Sequence, residues 1–266
     1  FVEKPYHPRR LLTILSHAAD QSRMRAGTLR LRQRLLELSG LDRVLLGRTE
    51  AVTALRRDIL DLAPTEAPVM IQGETGTGKE LVARALHDLG AAPERPFLPL
   101  NCAALSPETF EAEMFGVAGQ QQGRLAAASG GTLFLDEICA CPPAVQVKLL
   151  RVLEDKQILP VGATTPVSVA FRVVSATNEA PEAAVADGRL RKDLLFRLNT
   201  LVLDLPPLRA RTEDITLLAA HFLMPAYGNH GLWGAFMIFY LLRAASLLYY
   251  YPRVRAAAEA EDLTTR

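Results

Sequence analysis

The sequence predicts an α/β fold, a mostly parallel sheet covered by helices on both faces. Three observations point there. From residue 49 helical patterns alternate with short apolar runs: VMI at 69–71, FLPL at 97–100, TLFL at 132–135, FRVVSA at 171–176 and LVLDL at 201–205. Residues 73–80, directly after the first run, read GETGTGKE, and residues 130–137 read GGTLFLDE, an apolar run that closes on paired acids. A strand, a glycine-rich loop and a helix, followed by a strand ending in two acids, describe a nucleotide-phosphate site at the carboxyl ends of parallel strands.

Taken in order, the chain opens at Phe1 without Met, and is expected to be a fragment of a longer protein. Leu11, Leu12, Ile14 and Leu15 give a helical pattern, and residues 27–38, GTLRLRQRLLEL, place Leu29, Leu31, Leu35, Leu36 and Leu38 among arginines. An amphipathic linker helix fits that spacing, and two readings stand: pairing in a dimer, or packing on its own domain.

In the loop, Gly73, Gly76 and Gly78 let the backbone curl so that its N–H groups face a polyphosphate, with Glu74, Thr75 and Thr77 completing the turn. Lys79 adds a compact positive charge for the β- and γ-phosphates. The Ser or Thr that ordinarily follows the lysine and ligates Mg²⁺ is replaced by Glu80, so metal binding leans on Asp136 at the end of the apolar run 132–135. Its neighbour Glu137 is placed to orient and deprotonate an attacking water.

Composition bounds the rest. The chain has 266 residues, 49% hydrophobic and 22% charged, with a net charge of +1, which suits a cytosolic (cytoplasmic) globular domain without a DNA-gripping basic patch. Cys102, Cys139 and Cys141 have no framework spacing, so a reducing compartment is the default. The Cys139-x-Cys141 pair reads as small residues following the acids rather than as a metal pair.

Eight ordered motifs carry a resemblance: GETGTGKE, LNCAAL at 100–105, EMFG at 113–116, GGTLFLDEI at 130–138, VQVKLLRVLE at 145–154, SATN at 175–178, RKDLLFRLN at 191–199 and LPPLRARTEDI at 205–215. Together, over residues 44–223, they resemble the AAA+ P-loop NTPase domain of bacterial sigma-54-dependent transcription activators, the nitrogen-regulator type of enhancer-binding protein. The resemblance implies an ATPase that binds ATP and Mg²⁺, assembles into a hexamer or heptamer ring, and acts on RNA polymerase with its sigma factor. DNA contact would come only through a domain that this chain lacks. Asn101 matches the family asparagine that hydrogen-bonds the catalytic glutamate, here Glu137, although a polar cap on a strand end explains it equally well. Asn178 matches the residue that reaches the γ-phosphate or the water; its plain alternative is a turn asparagine. Arg191 and Arg197 match the two arginines presented to the neighbouring subunit's ATP, against the plain reading of a solvated helix face.

The resemblance also divides the chain: residues 1–24 as the end of a receiver domain, 25–43 as the linker helix, 44–208 as the ATPase core, 209–223 as the start of a truncated helical lid, and 224–266 as a foreign tail. Lys4 and Pro5 match the receiver's Lys-Pro pair. Two departures stand out. Where the family carries a GAFTGA loop that touches sigma-54, this chain reads VAGQQQGRLAAAS at 117–129, expected to be a plain surface turn, which argues against that contact. After Leu223 the chain reads MPAYGNHGLWGAFMIFYLLRAASLLYYYPRV, similar to the last transmembrane helix of a multidrug and toxin extrusion transporter. Residues 232–251 are long enough to span a bilayer, but Arg243, Arg253 and Arg255 disfavour a lone span; membrane association of this hydrophobic helix and aggregation of the chain are expected. An ATPase is therefore the first reading, and a nucleotide-dependent oligomerising regulator without productive hydrolysis is the alternative.

Overall fold

The structure, a computed structural model, describes residues 39–227 together with residues 233, 234, 237, 240, 241 and 243–245. The expected receiver end, most of the linker helix and most of the tail lie outside these residues. Five strands form one parallel sheet: β1 (Val69–Gln72), β2 (Phe97–Asn101), β3 (Thr132–Asp136), β4 (Arg172–Thr177) and β5 (Leu201–Asp204), in the order β2-β3-β4-β1-β5. All five match runs read from the sequence. The order returns to β1 only after β4, so the turns leaving β1, β4 and β3 emerge side by side at one edge.

The apolar runs are continuous because both faces are covered. Side chains alternate across a strand. In β3, Leu133 and Leu135 enter one core while Phe134 enters the other. In β1, Met70 faces the first core, and Val69 and Ile71 face the second. The first core is closed by Val145, Leu149 and Val152 of one helix (Pro143–Asp155) and by Leu194 and Leu198 of another (Lys192–Leu198). The second is closed by Leu55 and Ile59 of α1 (Glu50–Leu62) and by Val82 and Leu86 of α2 (Lys79–Asp88). The two helices of the first core are α3 (Pro143–Asp155) and α4 (Lys192–Leu198), and α5 (Ile215–Tyr227) follows the sheet. Each fully buried side chain of this size contributes about 2 kcal/mol of transfer free energy.

Two polar residues fasten the layers. Arg172, buried at the start of β4, donates to the carbonyl oxygens of Leu62 (2.8 Å), Ala63 (2.7 Å) and Leu86 (2.9 Å). It thereby satisfies the carbonyl ends of α1 and α2 and places a positive charge at both negative helix termini. Asp214, 1% exposed, accepts from the Arg48 N–H at 2.6 Å, the Thr49 N–H at 3.3 Å and the Thr49 hydroxyl at 2.7 Å. It ties the segment before α5 to the residues that open α1. The approach leaves no space for a side chain at position 47, where a Cβ would lie 2.7 Å from the carboxylate.

The expected plain turn at 117–129 is more structured than that. Gly116–Val117 pairs antiparallel with Gln121–Gln122, and a helical turn, Arg124–Ala127, buries Leu125. Strands of two residues carry no readable alternation, which is why the sequence missed them. A second hairpin pairs Gln157–Ile158 with Val167–Ser168, and Val117 bridges Val161 between the two. In the tail, the described side chains Trp233, Met237, Tyr240 and Leu241 are exposed, and among the described residues no helix is long and apolar enough to cross a membrane.

Burial alone would raise the Asp214 pKa, but the hydrogen bonds from Arg48 and Thr49, with Arg211 nearby, outweigh it and hold the carboxyl below its ordinary value. A depressed folded pKa gives stability that is present above the unfolded value, about 3.9, and lost as pH falls through the folded value. Asp214→Ala is expected to cost about 3 kcal/mol at neutral pH, since three donors lose their acceptor. Urea denaturation should show that deficit shrinking from about pH 5 to about pH 2. A deficit that stays constant over the range would contradict the assignment.

Candidate phosphate site and its acid pair

The register of the sheet builds the site. Gln72 at the end of β1 stands opposite Thr177 of β4, and Asn101 at the end of β2 stands opposite Asp136 of β3. The residues that follow β1, β4 and β3 are therefore Gly73, Asn178 and Glu137, on three neighbouring strands. Strands lie about 4.8 Å apart, so the loop after β1 and the acids after β3 face each other across about 10 Å, with Asn178 between them.

In the loop, Gly76 (φ 83°) and Gly78 (φ 97°) adopt left-handed conformations that a side chain would strain. The Gly73 N–H donates to the Thr177 carbonyl at 3.1 Å, which fixes where the loop leaves the sheet. The Thr77 hydroxyl donates to the Glu74 carbonyl at 2.7 Å, and Lys79 Nζ donates to the carbonyls of Gly73 (2.8 Å) and Glu74 (3.1 Å). Helix α2 begins at Lys79, so its free N–H groups and positive dipole end open onto the loop. Glu80 is exposed in the first turn of that helix.

Asp136 is the last residue of β3, and its Oδ1 accepts from the Glu137 N–H at 3.0 Å. Glu137 has a left-handed backbone (φ 52°, ψ 46°), a conformation that costs a non-glycine residue about 1 kcal/mol or more. That conformation ends the strand path at Asp136 and turns the chain into the 3-10 turn Ile138–Ala140. The sequence offered no sign of it.

Asn178 Nδ2 donates to the Thr75 hydroxyl at 3.2 Å, which puts it over the loop. Its place is fixed on both sides: the buried Thr177 hydroxyl exchanges hydrogen bonds with the Glu179 backbone, and the Glu179 carboxylate is forked by Arg189 at 2.6 Å on both oxygens. Asn101 is brought beside Asp136, but its Oδ1 accepts from the Ala103 N–H at 2.9 Å and makes no hydrogen bond to Glu137. Here the capping alternative describes the contact, although the residue is exposed.

Arg191 and Arg197 bracket α4, the first at its N-cap and the second in its last turn, and both are exposed. Arg191 forks Asp193 at 3.0 and 2.6 Å, and Arg197 donates to the Leu153 carbonyl at 3.1 Å. Neither hydrogen-bonds to the glycine loop of this chain. What relates them to the acids is a residue that the sequence did not single out. Gln146, fully buried in α3, donates to the carbonyls of Cys141 (2.8 Å) and Arg189 (2.6 Å) and accepts from the Arg191 N–H at 2.9 Å. It locks the turn after the acid pair to the segment that presents Arg191. A buried glutamine in an otherwise apolar helical repeat was the available signal.

The three cysteines are buried free thiols. Cys139 Sγ lies 3.2 Å from the Thr177 hydroxyl, whereas a hydrogen bond with Cys141, followed by burial, pushes the Cys102 thiol well above its ordinary pKa. Cys139 and Cys141 thus spend their sulfurs on different neighbours. A cavity of about 250 Å³ lined by His87, Thr132, Lys156 and Arg172 lies at the amino ends of the strands, away from the loop and the acids.

Residues 45–204 match the Sigma-54 interaction domain family. The chain belongs to that family. That family's domain has the AAA+ P-loop NTPase fold, which the sheet and its glycine loop match. It is 45% identical over 229 residues to the response regulator protein PilR of Pseudomonas aeruginosa, covering 82% of this chain and 52% of that protein. It is 44% identical over 187 residues to the transcriptional regulatory protein ZraR of Escherichia coli, covering 67% of this chain and 42% of that protein. The chain thus spans about half of these relatives' length. Among solved structures, NtrX of Brucella abortus in complex with ATP is similar at 37% identity with a TM-score of 0.65, covering 88% of this chain and 53% of that one. The same protein in complex with ADP matches equally well.

Proposed function

We propose that the chain is a magnesium-dependent ATPase module of a ring-forming transcription regulator of two-component type. The observation that carries this reading is the convergence of the glycine loop, Asn178 and the acid pair at the carboxyl ends of three adjacent strands. The NtrX structures with ATP and ADP support a nucleotide as the ligand.

The loop N–H groups and those at the start of α2 donate to the phosphates, and Lys79, now on the Gly73 and Glu74 carbonyls, turns its charge toward them. The donor set suits Mg²⁺, a hard cation: Asp136 Oδ1 accepts from the Glu137 N–H, and among the described residues its Oδ2 has no hydrogen-bond partner and remains for the metal. A metal held there by Asp136 would supply positive charge against the polyphosphate. Glu137, whose carboxylate has no hydrogen-bond partner among the described residues, takes the proton from the attacking water. Asn178 orients that water or the γ-phosphate. Asn101, with its Oδ1 fixed on Ala103, keeps its amide N–H groups for the Glu137 carboxylate. Arg191 and Arg197 serve a neighbouring subunit, a step that requires each to leave its present partner.

Contact with sigma-54 polymerase through the family's projecting loop does not fit this chain, because residues 118–120 close the Gly116–Gln122 hairpin in a tight turn. A purified transcription assay should show no stimulation of sigma-54-dependent open complexes, even with ATP and forced oligomerisation. Activation there would prove that another surface makes the contact.

The roles of Lys79 and Glu137 separate experimentally. Lys79→Ala should remove most ATP affinity, whereas Glu137→Gln should keep binding and slow turnover by about 100-fold or more, since one residue holds ground-state charge and the other acts on water. Equal loss of binding in both variants would refute the division.

A further inference from the structure

Arg209 lies in the short 3-10 turn Leu208–Ala210 that follows β5, and none of the roles above uses it. Its guanidinium forks the Glu74 carboxylate, Nη1 to Oε2 at 2.7 Å and Nη2 to Oε1 at 2.5 Å. Glu74 is the second residue of the phosphate loop. Its own carbonyl accepts from Thr77 and Lys79, so its main chain is part of the cradle.

A carboxylate in that position opposes the ligand the loop is built for. A polyphosphate brings several negative charges, and Glu74 adds another within the same turn. Protonation does not relieve the conflict, because the hydrogen bond from Arg209 holds the Glu74 carboxyl below its ordinary pKa. Among the described residues, Arg209 is the cation that meets this carboxylate. The two segments also cannot drift apart freely. The Leu205 N–H donates to the Gln72 carbonyl at 2.8 Å, and a Cβ on Gly73 would lie 2.9 Å from Leu205 Cβ.

We propose that Arg209 is a positioning residue for the nucleotide: it neutralises Glu74 and holds its carboxylate turned away from the phosphates. The proposal rests on the reading of this loop as the Mg-ATP site. As an exposed ion pair Arg209–Glu74 adds little to folding. Its weight comes from its place, since one uncompensated charge a few ångströms from a polyphosphate in a solvent-like dielectric shifts affinity by about tenfold.

The test is a fluorescence titration of the full chain with N-methylanthraniloyl-ATP and Mg²⁺ at low ionic strength, where exposed charges are least screened. Arg209→Ala should weaken binding about tenfold, and Arg209→Lys, which keeps the charge, should stay within about threefold of wild type. The double variant Glu74→Gln, Arg209→Ala should bind within about twofold of Glu74→Gln alone, because the charge that Arg209 offsets is gone. Wild-type affinity in Arg209→Ala, or a double variant as weak as Arg209→Ala, would overturn the proposal; the second outcome would mean that Arg209 acts on the phosphates or the fold directly. A wild-type chain that fails to bind the probe would instead sink the nucleotide reading, and this proposal with it.

Discussion

The hydrogen bond from the Gly73 N–H to the Thr177 carbonyl is the hinge on which the site turns. It extends the β1–β4 ladder by one step past the last strand residue and then releases the chain into a loop that needs left-handed glycines. Because β4 lies between β1 and β3, the same strand that anchors the phosphate loop also sets the distance to the acid pair. Thr177 serves both sides, with its carbonyl on the loop and its hydroxyl beside Cys139 in the turn after the acids. Shifting the register of β4 by one residue would move Asn178, the loop exit and the acid turn relative to one another, and would turn its buried side chains to the wrong cores.

The polar residues of the interior act as fasteners of this geometry. Arg172 joins two helix ends at the amino side of the sheet, Asp214 joins the start of α1 to the segment leading into α5, and Gln146 joins the acid turn to the approach of Arg191. Each replaces several water contacts by hydrogen bonds to main-chain groups that would otherwise be buried without partners, so each is costly to remove and cheap to keep. They also bring distant segments under one constraint. One glutamine side chain thus bonds both to the turn after the acid pair and to the N-cap of α4.

Much of this was legible in the sequence. All five core strands, their parallel arrangement and the phosphate loop follow from continuous apolar runs and from glycines spaced for a tight curl. The acid pair was legible because it closes a strand. Other features were not, for physical reasons. The two-residue hairpins are shorter than any period can reveal. The left-handed turn at Glu137 is imposed by its surroundings on a residue with no preference for it. For Asn101 the capping alternative was legible, but its partner, the Ala103 N–H, depends on a local 3-10 turn. Gln146 and Arg209 take their meaning from partners 43–45 and 135 residues away in the chain, a pairing no local pattern encodes.

With Arg191 and Arg197 hydrogen-bonded elsewhere than to the glycine loop, the proposed ring has one subunit hold the phosphates and the water while another completes the charge. ATP turnover per subunit, measured on the full chain with Mg²⁺ across a dilution series, tests it most directly. The expected result is turnover that requires Mg²⁺ and rises steeply with protein concentration before levelling off as subunits assemble. Turnover per subunit that is constant on dilution, with the chain monomeric throughout, would contradict it.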